Sequence, residues 1–304
     1  MQRMFGGLAK RLGRAAVAVL AVAAYAGPAA AQINWRIDNI SPVRSNFDGS
    51  DPNSASGGRV NQLGVNPANA QVALAASEWG GLFRTNDGGR NWAHVQGHAP
   101  QATWDVEFNP GNTSTVIATS LYDGRTTGSR SGINISRDGG TSWAVPASAR
   151  PTAAQCRSPG DAGEPAAFGI AVDPSNNNRI YVGTNCGLAV STDNGATWAF
   201  RDPTPLTAGG SRVVDVFVHA NGTLDLCGDD GHQRSTDNGT TFIQGATTEP
   251  GGTCSIVGSP DETNTLFMVV GTNLLESRDG GASWPTTFTE PGIQGRIPFL
   301  QVND

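Results

Sequence analysis

The chain has 304 residues, of which 38% are hydrophobic and 15% charged, with 40 glycines, 18 prolines and a formal charge of −6. An acidic balance whose only lysine is Lys10 argues against nucleic acid or an anionic membrane as partner. Dense Gly and Pro punctuation, with no long amphipathic helix beyond the first 31 residues, points to an all-β chain of short strands.

Residues 1–31 have the form of a secretory signal peptide. Arg3, Lys10, Arg11 and Arg14 give a positive start, 15–26 is an apolar run too short to span a bilayer, and Ala29-Ala30-Ala31 precedes Gln32 as a cleavage site. The segment carries four basic residues and no acid, so its loss takes the charge from −6 to −10 and leaves 32–304 as one secreted or periplasmic domain with no membrane insertion. Residues 33–40, with Trp35, predict an outer strand that completes a last structural unit.

The remainder is organised by one stretch, Ser/Thr-x-Asp-x-Gly-x-x-Trp/Phe, found at 85–92, 136–143, 191–198, 235–242 and 277–284. Its acids, Asp87, Asp138, Asp193, Asp237 and Asp279, are spaced by 51, 55, 44 and 42 residues, and a period of roughly 40–50 residues marks a propeller or solenoid. Asp or Asn followed by Gly is hairpin-turn chemistry, because Gly takes positive φ without steric cost. The carboxylate can accept turn N–H groups, the Ser/Thr ends one strand, and the aromatic residue opens the next and packs between sheets. An acid repeated on every unit suits a fold staple rather than catalysis.

Each stretch sits in a unit of four short strands. In chain order these are 59–65, 71–76, 81–85 and 92–95; 104–108, 115–120, 132–136 and 143–145; 168–172, 179–184, 188–191 and 198–200; 212–218, 223–227, 232–235 and 242–243; and 255–257, 265–270, 273–277 and a strand opened by Trp284. Residues 296–302 resemble the first strand of a sixth unit. Four-stranded units arranged radially make a β-propeller, here expected as five blades and a partial sixth in an incomplete ring, a fragment of a longer propeller truncated at the C-terminus. Cys156, Cys186, Cys227 and Cys254 are an even count in an exported chain and predict two disulfides. Of three possible pairings, Cys156–Cys186 within the third unit and Cys227–Cys254 between the fourth and fifth are favoured. No Cys or His spacing calls for a metal, and nothing calls for a cofactor.

These stretches resemble Asp boxes (BNR repeats), as found in sialidases, xyloglucanase-type glycoside hydrolases, sortilin-like receptors and photosystem assembly factors. The resemblance covers about residues 58–285 and implies an Asp-box β-propeller of the sialidase and xyloglucanase-like superfamily.

Strand alternation puts every Asp box on one face and leaves the opposite face to the loops between second and third strands and between units. That second set holds Ser77-Glu78-Trp79-Gly80, Tyr122-Asp123-Gly124-Arg125, Asp229-Asp230-Gly231-His232 and the long linker 147–167 with Asp161 and Glu164. Glu78, Trp79, Trp104, Tyr122 and Asp123 together suit sugar recognition, aromatic rings against a pyranose and acids on its hydroxyls. Arg59, Arg212 and Arg296 occupy one repeat position at the start of innermost strands. The sialidase resemblance implies a carboxylate-clamping arginine triad there, and Gly295-Arg296-Ile297-Pro298 is similar to the Arg-Ile-Pro motif of that family, although it follows the fifth box instead of preceding the first. The xyloglucanase resemblance instead places Glu78 where a catalytic Asp precedes a Gly-Gly pair and implies that the second acid of that mechanism comes from a later domain; Asp123 is a separate candidate acid on the same face. Three functions compete: an exported glycosidase-like propeller, a non-catalytic propeller binding a glycan, peptide or protein, and an assembly factor resembling the photosystem II stability factor.

Overall fold

The computed structural model describes residues 59–100, 102–124, 130–203, 210–245, 254–258 and 262–289. The expected signal peptide, the strand at 33–40, the sixth-unit strand at 296–302 and Arg296 lie outside the described residues. Within them the chain is all-β and forms five antiparallel sheets. Blade I comprises β1 (Val60–Val65), β2 (Ala73–Ser77), β3 (Gly81–Thr85) and β4 (Ala93–His94). Blade II has β5 (Thr103–Phe108), β6 (Val116–Ser120) and β7 (Gly132–Ser136). Blade III has β8 (Ala167–Val172), β9 (Ile180–Thr184), β10 (Gly187–Ser191) and β11 (Ala199–Arg201). Blade IV has β12 (Val213–Val218), β13 (Leu224–Gly228), β14 (Gly231–Ser235) and β15 (Ile243–Gln244), and blade V has β16 (Cys254–Gly258), β17 (Leu266–Val270), β18 (Asn273–Ser277) and β19 (Thr286–Thr289).

Two sequence expectations are corrected. Blade II has three strands, its fourth reduced to a single bridge between Ile135 and Ala144, because Pro146 offers no N–H to continue the ladder. The aromatic residue of the repeat does not open the outer strand. It stops short of it, and Trp92, Trp143 and Trp198 turn their indole N–H back onto the carbonyls of Gly89, Gly140 and Gly195.

The repeated turn is built as its chemistry requires. Asp138 accepts N–H bonds from Thr141 (3.0 Å) and Ser142 (2.8 Å) and hydroxyl bonds from Ser136 (2.8 Å) and Ser142 (2.6 Å). The two residues after each acid carry positive φ, Gly139 and Gly140 at 70° and 95°, Asn194 and Gly195 at 58° and 78°, so Gly or Asn is demanded there.

Hydrophobic cores lie between successive blades, not within them. Leu74 and Leu82 of blade I pack with Val106 and Phe108 of blade II, and Tyr181 and Leu188 of blade III with Val216 and Leu226 of blade IV. Arginines tie each blade to the next. Arg84 donates to the Gly139 carbonyl, Arg137 to that of Asn194 (2.6 Å), Arg201 to those of Gly239 and Asn238, and Arg234 to that of Thr263. Disulfides join Cys156 to Cys186 and Cys227 to Cys254, the favoured pairing, and the second links blades IV and V. The innermost strands β1, β5, β8, β12 and β16 stand in that order around an axis, and the described residues do not close the ring.

Candidate functional site

The face opposite the repeated turns is formed by the starts of the innermost strands and by the turns from β2 to β3, β9 to β10, β13 to β14 and β17 to β18. At its rim the Glu78 N–H donates to the Arg59 carbonyl (3.0 Å), and the side chains of the same two residues pair at 3.5 Å. Trp79, next in the turn, is 47% exposed. In blade IV the equivalent Asp229 N–H meets the Arg212 carbonyl (3.0 Å), and Arg212 directs both Nε (3.1 Å) and Nη2 (2.7 Å) to one Asp229 oxygen. The adjoining Asp230 takes Arg157 at 3.0 Å. That arginine belongs to the long linker, which Cys156 fastens to Cys186 in the β9–β10 turn. Tyr122 and Asp123 follow β6 on this rim, half-buried.

In blades I and IV the rim arginine is thus paired with an acid of its own blade. His232 does not belong to the rim. It is buried in β14, where its Nε2 and that of His219 each lie 2.8 Å from the Asp225 carboxylate. Burial alone would raise Asp225, but hydrogen bonds from His219 and His232 and the charge of Arg234 hold it below its ordinary value.

Inside the rim the five innermost strands wall a cavity of about 430 Å³ that reaches Arg59, Asn61, Trp104, Asp105, Glu107 and Asp215. Trp104 stands edge-on to Phe168, ring centres 5.7 Å apart. The pairing register slips at the start of β1, β5, β8 and β12, and such bulges re-aim side chains. Asp105 and Asp215, just past the slip, bridge to a neighbouring blade. Asp105 accepts the N–H of Ile170 (3.0 Å), and Asp215 that of Ile256 (3.0 Å) with the Ser255 hydroxyl (2.9 Å).

Desolvation at the cavity wall raises Asp105 to about 7 and Asp215 to about 6. Glu107 rises to about 8, from desolvation and then the charge of Asp105, which favours its neutral form. Sequence reasoning missed these three acids. Their signal is weak, since acids at alternate positions of a strand also describe a solvent-facing edge. Among the described residues no group of three or more His, Cys, Asp or Glu could hold a metal ion, and no helix is long and apolar enough to cross a membrane.

No family model matches the chain. A stretch of 125 residues is 34% identical to a xyloglucanase of Hypocrea jecorina (strain QM6a), over 40% of this chain and 15% of that protein. An ancestral GH74 enzyme superposes with a TM-score of 0.58 at 21% identity, over 79% of this chain and 32% of the enzyme. The GH74 xyloglucanase from Xanthomonas campestris gives 0.52 at 21% identity, over 74% and 38%. The chain therefore spans well under half the length of these proteins. It shares the β-propeller fold of GH74 xyloglucanases and a stretch of sequence with one curated xyloglucanase.

Proposed function

We propose that this is an exported, glycosidase-like Asp-box propeller whose loop-rich face takes a neutral, hydroxyl-rich glycan. The observation that carries the reading is the exposed Trp79 ring beside the Arg59–Glu78 pair. An aromatic face next to convergent donors and acceptors suits a pyranose. The rim arginines favour a neutral over an acidic sugar. Arg59, Arg212 and Arg157 are each matched by an acid, so a carboxylate ligand would have to displace an existing partner. This supports a xyloglucanase relationship over a sialidase one, as does the 34% identity to a xyloglucanase. By the xyloglucanase resemblance Glu78 takes the place of the catalytic acid; hydrolysis would require a second carboxyl roughly 5–10 Å away, which that resemblance assigns to a later domain. Two disulfides in the chain fit export to an oxidising compartment.

Calorimetric titration of the exported chain with xyloglucan oligosaccharide and with sialyllactose tests the proposal. Binding of the neutral oligosaccharide, lost in Trp79→Ala, is expected. Binding of sialyllactose alone, abolished in the folded Arg59→Glu, Arg212→Glu double variant, would replace it with a carboxylate clamp.

A further inference from the structure

Of the interfaces between the described blades, the one between blades IV and V is built differently. The second residues of a blade's second and third strands face the next blade. They are Leu74 and Leu82 in blade I, Ile117 and Ile133 in blade II, and Tyr181 and Leu188 in blade III, all buried. In blade IV the same two places hold Asp225 and His232, equally buried. A second buried imidazole joins them. His219 follows β12 at the position that Asn66, Asn109 and Asp173 hold after β1, β5 and β8.

The one negative charge of this cluster is already matched. A carboxylate only accepts, so both imidazoles present Nε2–H to Asp225, each at 2.8 Å. The Arg234 guanidinium stands 3.3 Å from the same carboxylate. Blade V closes over the cluster. Gly258 lies against His219, where a Cβ would come within 3.0 Å of Cε1, and Gly281 against His232, where a Cβ would come within 2.0 Å of Cε1. The Trp284 ring stands edge-on to His232 at 5.4 Å, and the Thr263 carbonyl accepts from Arg234. Phe217 and Gly245 of blade IV touch His219 and His232. The titratable and charged groups in these contacts are Asp225, His219, His232 and Arg234. With Arg234 positive and Asp225 negative, a proton on either imidazole leaves a net positive charge inside a closed interface, which burial penalises.

We propose that the interface between blades IV and V is a pH-sensitive joint: proton uptake by the His219–Asp225–His232 cluster releases blade V from blade IV, while the Cys227–Cys254 disulfide keeps it tethered. Asp225 acts in the same direction. Burial would raise it, but its two histidine bonds and Arg234 hold it below 3.8, so its contribution is complete above that value and is lost as pH falls through the folded value. The sign is opposite to that of the axial acids, so the effect is read locally, at blade V. This goes beyond the glycan reading and does not depend on it.

Hydrogen exchange of the exported full chain, with rates divided by the intrinsic rate at each pH, provides the test. Acidification from about pH 7.5 to about pH 5 spans the range in which a free imidazole takes its proton. Over it, protection of 266–277 in blade V is expected to fall at least roughly tenfold, and that of 180–191 in blade III by less than roughly twofold. The variant His219→Asn, Asp225→Leu, His232→Leu copies Asn66, Leu74 and Leu82 of blade I and should hold blade V equally at both ends of the range. Unchanged protection of 266–277 would overturn the proposal, as would an equal fall in both blades, or a fall in the variant as large as in the natural chain. Nitrogen NMR of the imidazoles in the natural chain, which has only four histidines, decides the matter even where the variant does not fold. His219 or His232 should take up a proton in step with the loss of protection, and loss without uptake at either would overturn the proposal.

Discussion

Asp138 shows how the repeated acid works. Four donors, two of them backbone N–H groups, converge on its carboxylate, and those bonds, led by the Ser142 hydroxyl, hold its pKa well below the usual range. Asp138→Ala should cost about 1–2 kcal/mol in urea unfolding, a modest value because the site is solvent-exposed, and leave ligand affinity unchanged. The axial acids have the opposite sign. Glu107 has an ordinary value of 4.5 and is raised to about 8 in the fold, so between these limits the folded chain binds more protons than the unfolded one. Stability from this group therefore falls as pH rises from 4.5 toward 8. Asp105 and Asp215 act in the same direction. The turn acids, lowered to about 2 at Asp87 and Asp279, work the other way: their contribution is complete above the ordinary value of 3.8 and is lost as pH falls through the folded value. The urea midpoint should peak at about pH 4–5, and Glu107→Gln should flatten its decline on the alkaline side. An unchanged slope in that variant would remove Glu107 from the account.

At the scale of the element, legibility followed chemical specificity. β3, β7 and β18 match the expected 81–85, 132–136 and 273–277, because each ends at the Ser/Thr of the repeated turn and the first two open on a Gly of positive φ. The outer strands were harder to read. They are two to four residues long where present, and their position depends on how the indole folds back onto the turn, which no local pattern encodes. The axial carboxyls were illegible for a related reason: the bulge that turns Asp105 and Asp215 toward a neighbouring blade changes the face on which alternation would place them. The rim pairs Arg59–Glu78 and Arg212–Asp229 were half visible, since the arginines and acids stood out separately while their union depends on the shared turn geometry. Cys227 and Cys254, with Cα atoms 6.2 Å apart, fasten β13 to β16. Replacing both by Ser should lower stability by about 2–4 kcal/mol and loosen blade V first, seen as faster amide exchange in 266–277 than in blade II.

On the scale of the whole molecule, the alternation of strand direction separates two tasks. One face carries the repeated turns, whose acids are consumed by hydrogen bonds within the turn. The other carries the rim pairs, Trp79 and the mouth of the axial cavity, and its chemistry differs from blade to blade. Function on the second face is the central claim, and hydrogen–deuterium exchange of the exported chain with and without saturating xyloglucan oligosaccharide tests it most directly. The account predicts slowed exchange in the turns at 77–81, 121–124 and 228–231, with the turns at 85–92, 136–143 and 191–198 unaffected. Protection confined to the turns of the opposite face would contradict it.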